Sequence, residues 1–486
     1  MDTPSISRRH FLKGCTAAAA VAAAGPQLFF SSVHAAANGH DTLVVLFLRG
    51  GLDGLNLVVP VSGEDRAHYE AARPTLAIPV SGTYGALPLT LASGAATGFG
   101  LHPSAVGLRD LWDGGQLAIV HACGLRESVT RSHFDAQLTI ELGVMGRQGI
   151  GTGWLARAMN TQPGVSGAEP MPALAVNSRQ PASFGGSTHA LTMASPGDFQ
   201  LNSGAWNWQK TRADSPAGLV GVNETLARLW GGPTGLEGDG ARAERALSTI
   251  ARQSFGAPPA GWPTSTIARQ LWTVAQSIRA GLGLRYAALD LGGWDTHDGQ
   301  GSAGSGYHYF QNKVAELSQA LAAFHNELAL TGHAGRVTTV VQSEFGRRVR
   351  ENAARGTDHG YGNPVLVLGG AVNGRRFYGQ WPGLSPETLS PTYGDVPVTT
   401  DYRQVIGEIL VRRMGHTDVA AVFPGYAASA LGIVRSVSAS AAGPVAVSVG
   451  ATRADDVSAR MPREYNSVFA RVVRALRRLF GARPID

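Results

Sequence analysis

The chain predicts an α/β fold, a mostly parallel sheet flanked by helices. Three observations carry this: short apolar runs too continuous for strands with one wet face, helix-period stretches between them, and Gly or polar residues bounding each run. In order, the predicted strands are Thr42 to Leu48, Leu117 to Ala122, Leu284 to Leu291, Val337 to Gln342 and Pro364 to Leu368. Lys313 to Leu330 shows the helical pattern, with Val314, Leu317, Leu321, Phe324 and Leu328 at helical spacing. Strands alternating with helices place helices on both faces of one sheet. Residues 150–270 hold few strand signals and much Gly, Pro and Ser, and read as a long insertion with helices that caps the site. With that insertion, residues 41–434 form one α/β domain. Residues 435–486 begin as a Ser-, Ala-, Gly- and Val-rich linker and end in a basic amphipathic helix, Asn466 to Arg483. Its apolar face suits an anionic membrane surface or docking on protein.

Bulk properties narrow the function classes. A hydrophobic content of 44% with 16% charged residues is that of a globular protein rather than a disordered one. The net charge is +6, and without Arg8, Arg9, Lys13 and Asp2 it is +4, too small and scattered for nucleic-acid binding. The first 37 residues explain that difference. Ser7-Arg8-Arg9-His10-Phe11-Leu12-Lys13, an Ala-rich stretch from Ala17 to Ala24, and Val33-His34-Ala35-Ala36-Ala37 match a twin-arginine export signal. A periplasmic or extracellular location is therefore expected. Of the two cysteines, Cys15 lies within the signal, so the mature chain forms no internal disulfide and depends on core packing and metal. No other apolar run reaches the ~18–20 residues of a membrane span.

Four motifs stand beside strand ends. Arg49-Gly50-Gly51-Leu52-Asp53-Gly54-Leu55-Asn56 follows the first strand, Gly292-Gly293-Trp294-Asp295-Thr296-His297 the third, and Ser343-Glu344-Phe345-Gly346-Arg347 the fourth; Gly356-Thr357-Asp358-His359-Gly360 precedes the fifth. The carboxyl ends of parallel strands share one edge, where ligands sit. Asp53, Asp295, His297 and Glu344 are expected to approach one another there. The Asp358-His359 loop leads into a strand, so it has to reach across from a long connection. Asp295 and His297 point the same way in extended backbone, which suits two ligands of one ion or a turn and its cap. Asp53, Glu344 and Asp358-His359 taken singly also suit turns and ion pairs. As a set, these carboxylates and imidazoles fit a divalent metal, whether zinc, manganese, calcium or magnesium. After the second strand, Ser132 and Thr130 are placed either as an activated nucleophile or as helix caps, with Ser132 preferred for attack. Arg49, Arg131 and Arg347 are the candidate clamps for a phosphate or sulfate group.

The run from Leu43 to Pro60, the Ser132-His133-Phe134-Asp135-Ala136-Gln137 segment and the three later motifs occur in order, and they resemble a large secreted bacterial family, the domain of unknown function 1501. The resemblance spans roughly Asp41 to Val434, and that family is similar to the alkaline phosphatase and sulfatase superfamily. It implies an alkaline-phosphatase-like sheet with one or two divalent metals at the strand ends. It also implies Asp53 as the first metal-binding Asp, Ser132 near the nucleophile, and Asp295, His297 and His359 on one ion. Glu344-Phe345 stands where the superfamily has an Asp-His pair on a second metal, and Phe345 cannot ligate. Two functions follow as expectations. One is an exported metal-dependent hydrolase of small or polymer-borne phosphate or sulfate esters; the other is a catalytically silent binding or assembly protein on the same fold.

Overall fold

All five predicted runs are strands of one sheet in the computed structural model, which describes residues 39–437 apart from 145–149, 166–168, 196–201, 204–205, 208–227 and 242–254. The sheet's strands are β1 (Thr42–Leu48), β2 (Leu117–Gly124), β3 (Ala173–Ala175), β4 (Ala190–Thr192), β5 (Tyr286–Leu291), β6 (Val337–Ser343), β7 (Asn363–Leu368), β8 (Arg376–Tyr378) and β9 (Thr400–Asp401). Their order is β8-β2-β7-β6-β1-β5-β3-β4, with β9 beside β2. The central strand β1 is buried along its whole length, as its continuous apolar run requires. Val44, Leu46 and Leu48 face a core that includes α1 (Val106–Asp113), α4 (Thr266–Arg279) and α5 (Tyr309–Leu330). Leu43, Val45 and Phe47 face the opposite core, with α2 (His133–Leu142), α3 (Trp154–Thr161) and α6 (Tyr402–Arg412). Each such side chain gains about 1.5–3 kcal/mol on leaving water, so a strand buried on both faces anchors the sheet.

The mostly parallel α/β reading holds, with one informative departure. β1 pairs in parallel with β5 and β6, whereas β7 runs antiparallel to both β6 and β2. The register Thr339↔Leu368 and Val341↔Leu366 sets the start of β7 beside the end of β6. The expectation that the Asp358-His359 loop must reach across is therefore corrected. Because β7 is reversed, the loop that precedes it already stands on the rim where β1, β5 and β6 end.

Residues 150–270 also need correction, because they are more than a cap. Ala173–Ala175 pairs with β5, and Ala190–Thr192 extends the same edge. Three-residue strands are too short for a two-residue period to show in sequence. The unit that holds the sheet runs to Val437, slightly past the expected boundary. The export signal and the basic C-terminal helix both lie outside the described residues. No described helix is long and apolar enough to cross a membrane.

Candidate metal centre

Close backbone approach builds the rim. Gly50 and Gly51 leave β1 with φ of +115° and +72°, a region that disfavours side chains. A Cβ on Gly50 would stand 2.4 Å from the Asp295 nitrogen, and one on Gly51 would stand 2.6 Å from the Phe345 ring. The glycine pair thus lets the exits of β1, β5 and β6 touch. Arg347, buried, ties them together. Its Nε donates to the Gly51 carbonyl (2.6 Å) and its Nη1 to the Thr357 carbonyl (2.7 Å). Its Nη2 donates to the carbonyls of Gly50 and Trp294 and to Asp295 Oδ1 (2.7 Å).

Three imidazoles surround Asp295. His297 Nε2 and His359 Nε2 each lie 3.2 Å from Asp295 Oδ1 and 2.8 Å from one another. His133 Nε2 approaches the other carboxylate oxygen at 3.4 Å, and the donor atoms of His133, Asp295 and His359 all fall within 4.8 Å. Each ring is held through its Nδ1. His133 Nδ1 meets Glu344 Oε1 at 2.6 Å, His297 Nδ1 meets Asp358 Oδ1 at 3.0 Å, and His359 Nδ1 meets the Arg131 carbonyl at 2.7 Å. Carboxylate and carbonyl oxygens only accept, so all three Nδ1 atoms carry the proton. The three Nε2 atoms are therefore turned inward on one carboxylate.

Electrostatics favours the ligating forms. Burial pulls the His359 imidazole below its ordinary range, against the raising effect of the Arg131 carbonyl and Asp295, which favours its neutral, ligating form. Burial alone would raise Asp295, but the hydrogen bond from Arg347, the contact with His359 and the Arg347 charge hold it at about 2. The 2.8 Å contact between His297 Nε2 and His359 Nε2 needs either a shared proton or a shared cation. Edges of 2.8–3.2 Å among Asp295 Oδ1, His297 Nε2 and His359 Nε2 are close to the ~3.3 Å separating the ligands of a tetrahedral ion with bonds near 2.0–2.1 Å. His133 Nε2 is buried with no hydrogen-bond partner, a donor atom that awaits an acceptor of its lone pair. The residues present fit a divalent metal.

The sequence-expected residues divide into groups. Asp295, His297 and His359 converge, with His133 added. Glu344 and Asp358 stand behind them as orienting carboxylates. Oε1 of Glu344 also accepts from the Gly50 N–H at 2.6 Å, while Asp358 Oδ1 accepts from Asn352 at 3.0 Å. Asp53 is buried and bound bidentately by Arg73 at 2.6 and 2.9 Å. Its Oδ2 also accepts from Gln300, whose Oε1 takes the hydroxyls of Thr296 and Thr357. Asp53 therefore braces the two histidine loops instead of facing the imidazoles, because a buried Arg73 claims its charge. Ser132 caps α2, its Oγ accepting the Asp135 N–H at 3.3 Å, and Thr130 Oγ1 accepts from the Ser132 N–H. The capping alternative is the one these bonds describe.

Arg49 is spent on Asp290, Glu141 and Gln137, and Arg347 on the loop carbonyls and Asp295, so neither guanidinium is free to clamp an anion. Phe345 lies buried beneath the cluster, its ring 5.1 Å from that of His133 and 4.8 Å from that of His359. His133 is the residue that motif reading passed over. The available signal was an imidazole next to the capping Ser132 in a segment already singled out.

No curated protein matches the chain. A crystal structure of the PsFucS1 sulfatase from Pseudoalteromonas sp. aligns with 84% of this chain and 77% of its own, at 9% identity and a TM-score of 0.37. Residues 251–423, which contain the Asp295-His297, Glu344-Arg347 and Asp358-His359 motifs, match the family model described as "Protein of unknown function (DUF1501)".

Proposed function

We propose that the protein is a metal-dependent hydrolase of phosphate or sulfate esters acting outside the cytoplasm. The observation that carries this reading is the inward convergence of three Nδ1-pinned imidazoles on the Asp295 carboxylate. His133, His297, His359 and Asp295 would hold the ion, and an imidazole-rich set favours zinc over manganese, calcium or magnesium. Such an ion supplies Lewis-acid polarisation of an ester and a lowered pKa for attacking water. The chain's own residues do the rest. Glu344 and Asp358 fix the tautomers of His133 and His297, and Arg347 keeps Asp295 ionised beside them. With Ser132 engaged as a cap, water is the attacking group. The twin-arginine motif supports the export assignment.

The test is hydrolysis of 4-nitrophenyl phosphate and 4-nitrophenyl sulfate by metal-stripped protein refilled with zinc, manganese, magnesium or calcium. Turnover that requires added metal and is lost in Asp295→Ala is expected; silence with every metal overturns the hydrolase reading. Phe345 favours a second reading, a silent binding protein, because it replaces a ligand with an apolar ring. Failure to retain stoichiometric metal would favour that alternative.

A further inference from the structure

We propose that Arg131 and Arg348, sharing the ring of Tyr393, form an anion seat beside the metal centre that takes the charged oxygens of the substrate. The inference deepens the hydrolase reading and rests on it for the identity of the substrate. Arg131 Cζ lies 3.5 Å over the Tyr393 ring and 4.9 Å from that of Tyr361, and Arg348 Cζ lies 4.7 Å from Tyr393. Stacking of this kind uses the faces of the guanidinium groups and leaves their in-plane N–H edges for an anion.

The buried Asp395 carries a charge felt by both arginines and pairs with Arg131 through one nitrogen, which leaves the rest of both guanidinium edges to other acceptors. Arg131 Nη2 donates to the buried Asp395, while Arg348 Nη1 lies 3.9 Å from Asp358 Oδ2, beyond hydrogen-bond length. The Nε of both arginines is buried with no partner. A buried donor without an acceptor carries a desolvation cost, and two on guanidiniums that share one ring call for an acceptor with several oxygens. Phosphate and sulfate groups provide it, with geometry that matches a guanidinium fork. The side chains are 19% and 30% exposed, so part of each guanidinium is open to solvent.

Its placement links it to the chemistry. The Arg131 carbonyl holds His359, and the Arg348 N–H donates to the carbonyl of Asp358, whose carboxylate holds His297. The seat and the donor set are thus built from the same two loops. A neutral ester would leave both Nε donors unpaired, so the pairing selects anionic esters.

The experiment is calorimetric titration of the full chain with inorganic phosphate and with inorganic sulfate, metal-free and zinc-loaded. In both forms Arg348→Gln and Arg131→Gln should weaken binding at least tenfold, and Arg348→Lys, which keeps charge but loses the fork, should fall between. Zinc affinity of Arg348→Gln should stay within twofold of wild type, which also reports that the variant is folded. Equal anion affinity in wild type and both glutamine variants overturns the seat, as does absence of anion binding by the wild-type chain. The metal-free comparison isolates the seat, and the zinc titration of the same proteins tests the metal centre separately.

Discussion

Glu344→Gln should weaken metal binding without loosening the fold. Two short hydrogen bonds, from the Gly50 N–H and the His133 Nδ1–H, converge at 2.6 Å each on Oε1 of a side chain with no solvent exposure. A glutamine keeps an oxygen there, because both neighbours are donors, and places its amide nitrogen where Oε2 already lacks a partner. No bond is lost, but the charge behind His133 is. Charge-assisted hydrogen bonds are about twice as strong as neutral ones. Loss of an orienting partner behind a metal-bound imidazole typically costs ~10–100-fold in affinity, about 1.4–2.7 kcal/mol. Glu344→Ala should lose the same affinity and, by orphaning the part-buried Gly50 N–H, about 1 kcal/mol of stability as well. Zinc titration of chelator-stripped protein with thermal melts of the metal-free forms checks both. If Glu344→Gln binds zinc within twofold of wild type while Asp295→Ala does not bind it, His133 is not a ligand held by Glu344.

Three further perturbations probe the frame. Arg73→Met should cost about 3–5 kcal/mol in urea unfolding, because it leaves the buried Asp53 charge without its partner; Asp53→Asn with Arg73→Met should recover part of that, and strict additivity would refute the pairing. Ser132→Ala should lose only about 0.5–1 kcal/mol, the worth of a helix cap, with turnover unchanged; a thousandfold loss of turnover would restore Ser132 as nucleophile. His121, pushed down to about 3 by burial and stacked on Phe377, stays neutral in the folded chain where the unfolded chain is protonated. Stability should therefore fall as pH drops below about 6.5, by up to ~1.4 kcal/mol per pH unit for this one group. His102, His325 and His416, each lowered to about 4 by burial, add to the total, so His121→Phe should reduce the slope by one group's share, measured by urea unfolding between pH 7 and 4.5.

The contrast between what was legible and what was not has a physical origin. Double-sided burial writes itself into sequence as continuous apolar runs, so β1, β2, β5, β6 and β7 were visible. Strand direction leaves no such mark, since a reversed strand buries the same residues, and the reversal of β7 is what brings His359 to the rim. The Asp295-His297 pair was legible because both side chains come from one loop. His133 was not, because a helix-start imidazole joins the cluster only when a distant Glu344 turns it inward. Sequence leaves Asp53 open between ligand and ion pair for the complementary reason: its partner Arg73 belongs to no motif, and only burial of both charges reveals a structural pair.

These two cases resolve the apparent defect at Phe345. An apolar residue at a strand end removes a donor from that strand, but here its ring forms the floor under His133 and His359, while the neighbouring Glu344 orients His133. Where the family resemblance places an imidazole the chain has Phe345, and the imidazole above that ring, His133, comes from another element and is held by the neighbouring Glu344. Phe345→His would therefore not simply add a ligand. It would put a polar ring into a buried apolar floor under two imidazoles already positioned, and metal affinity should fall.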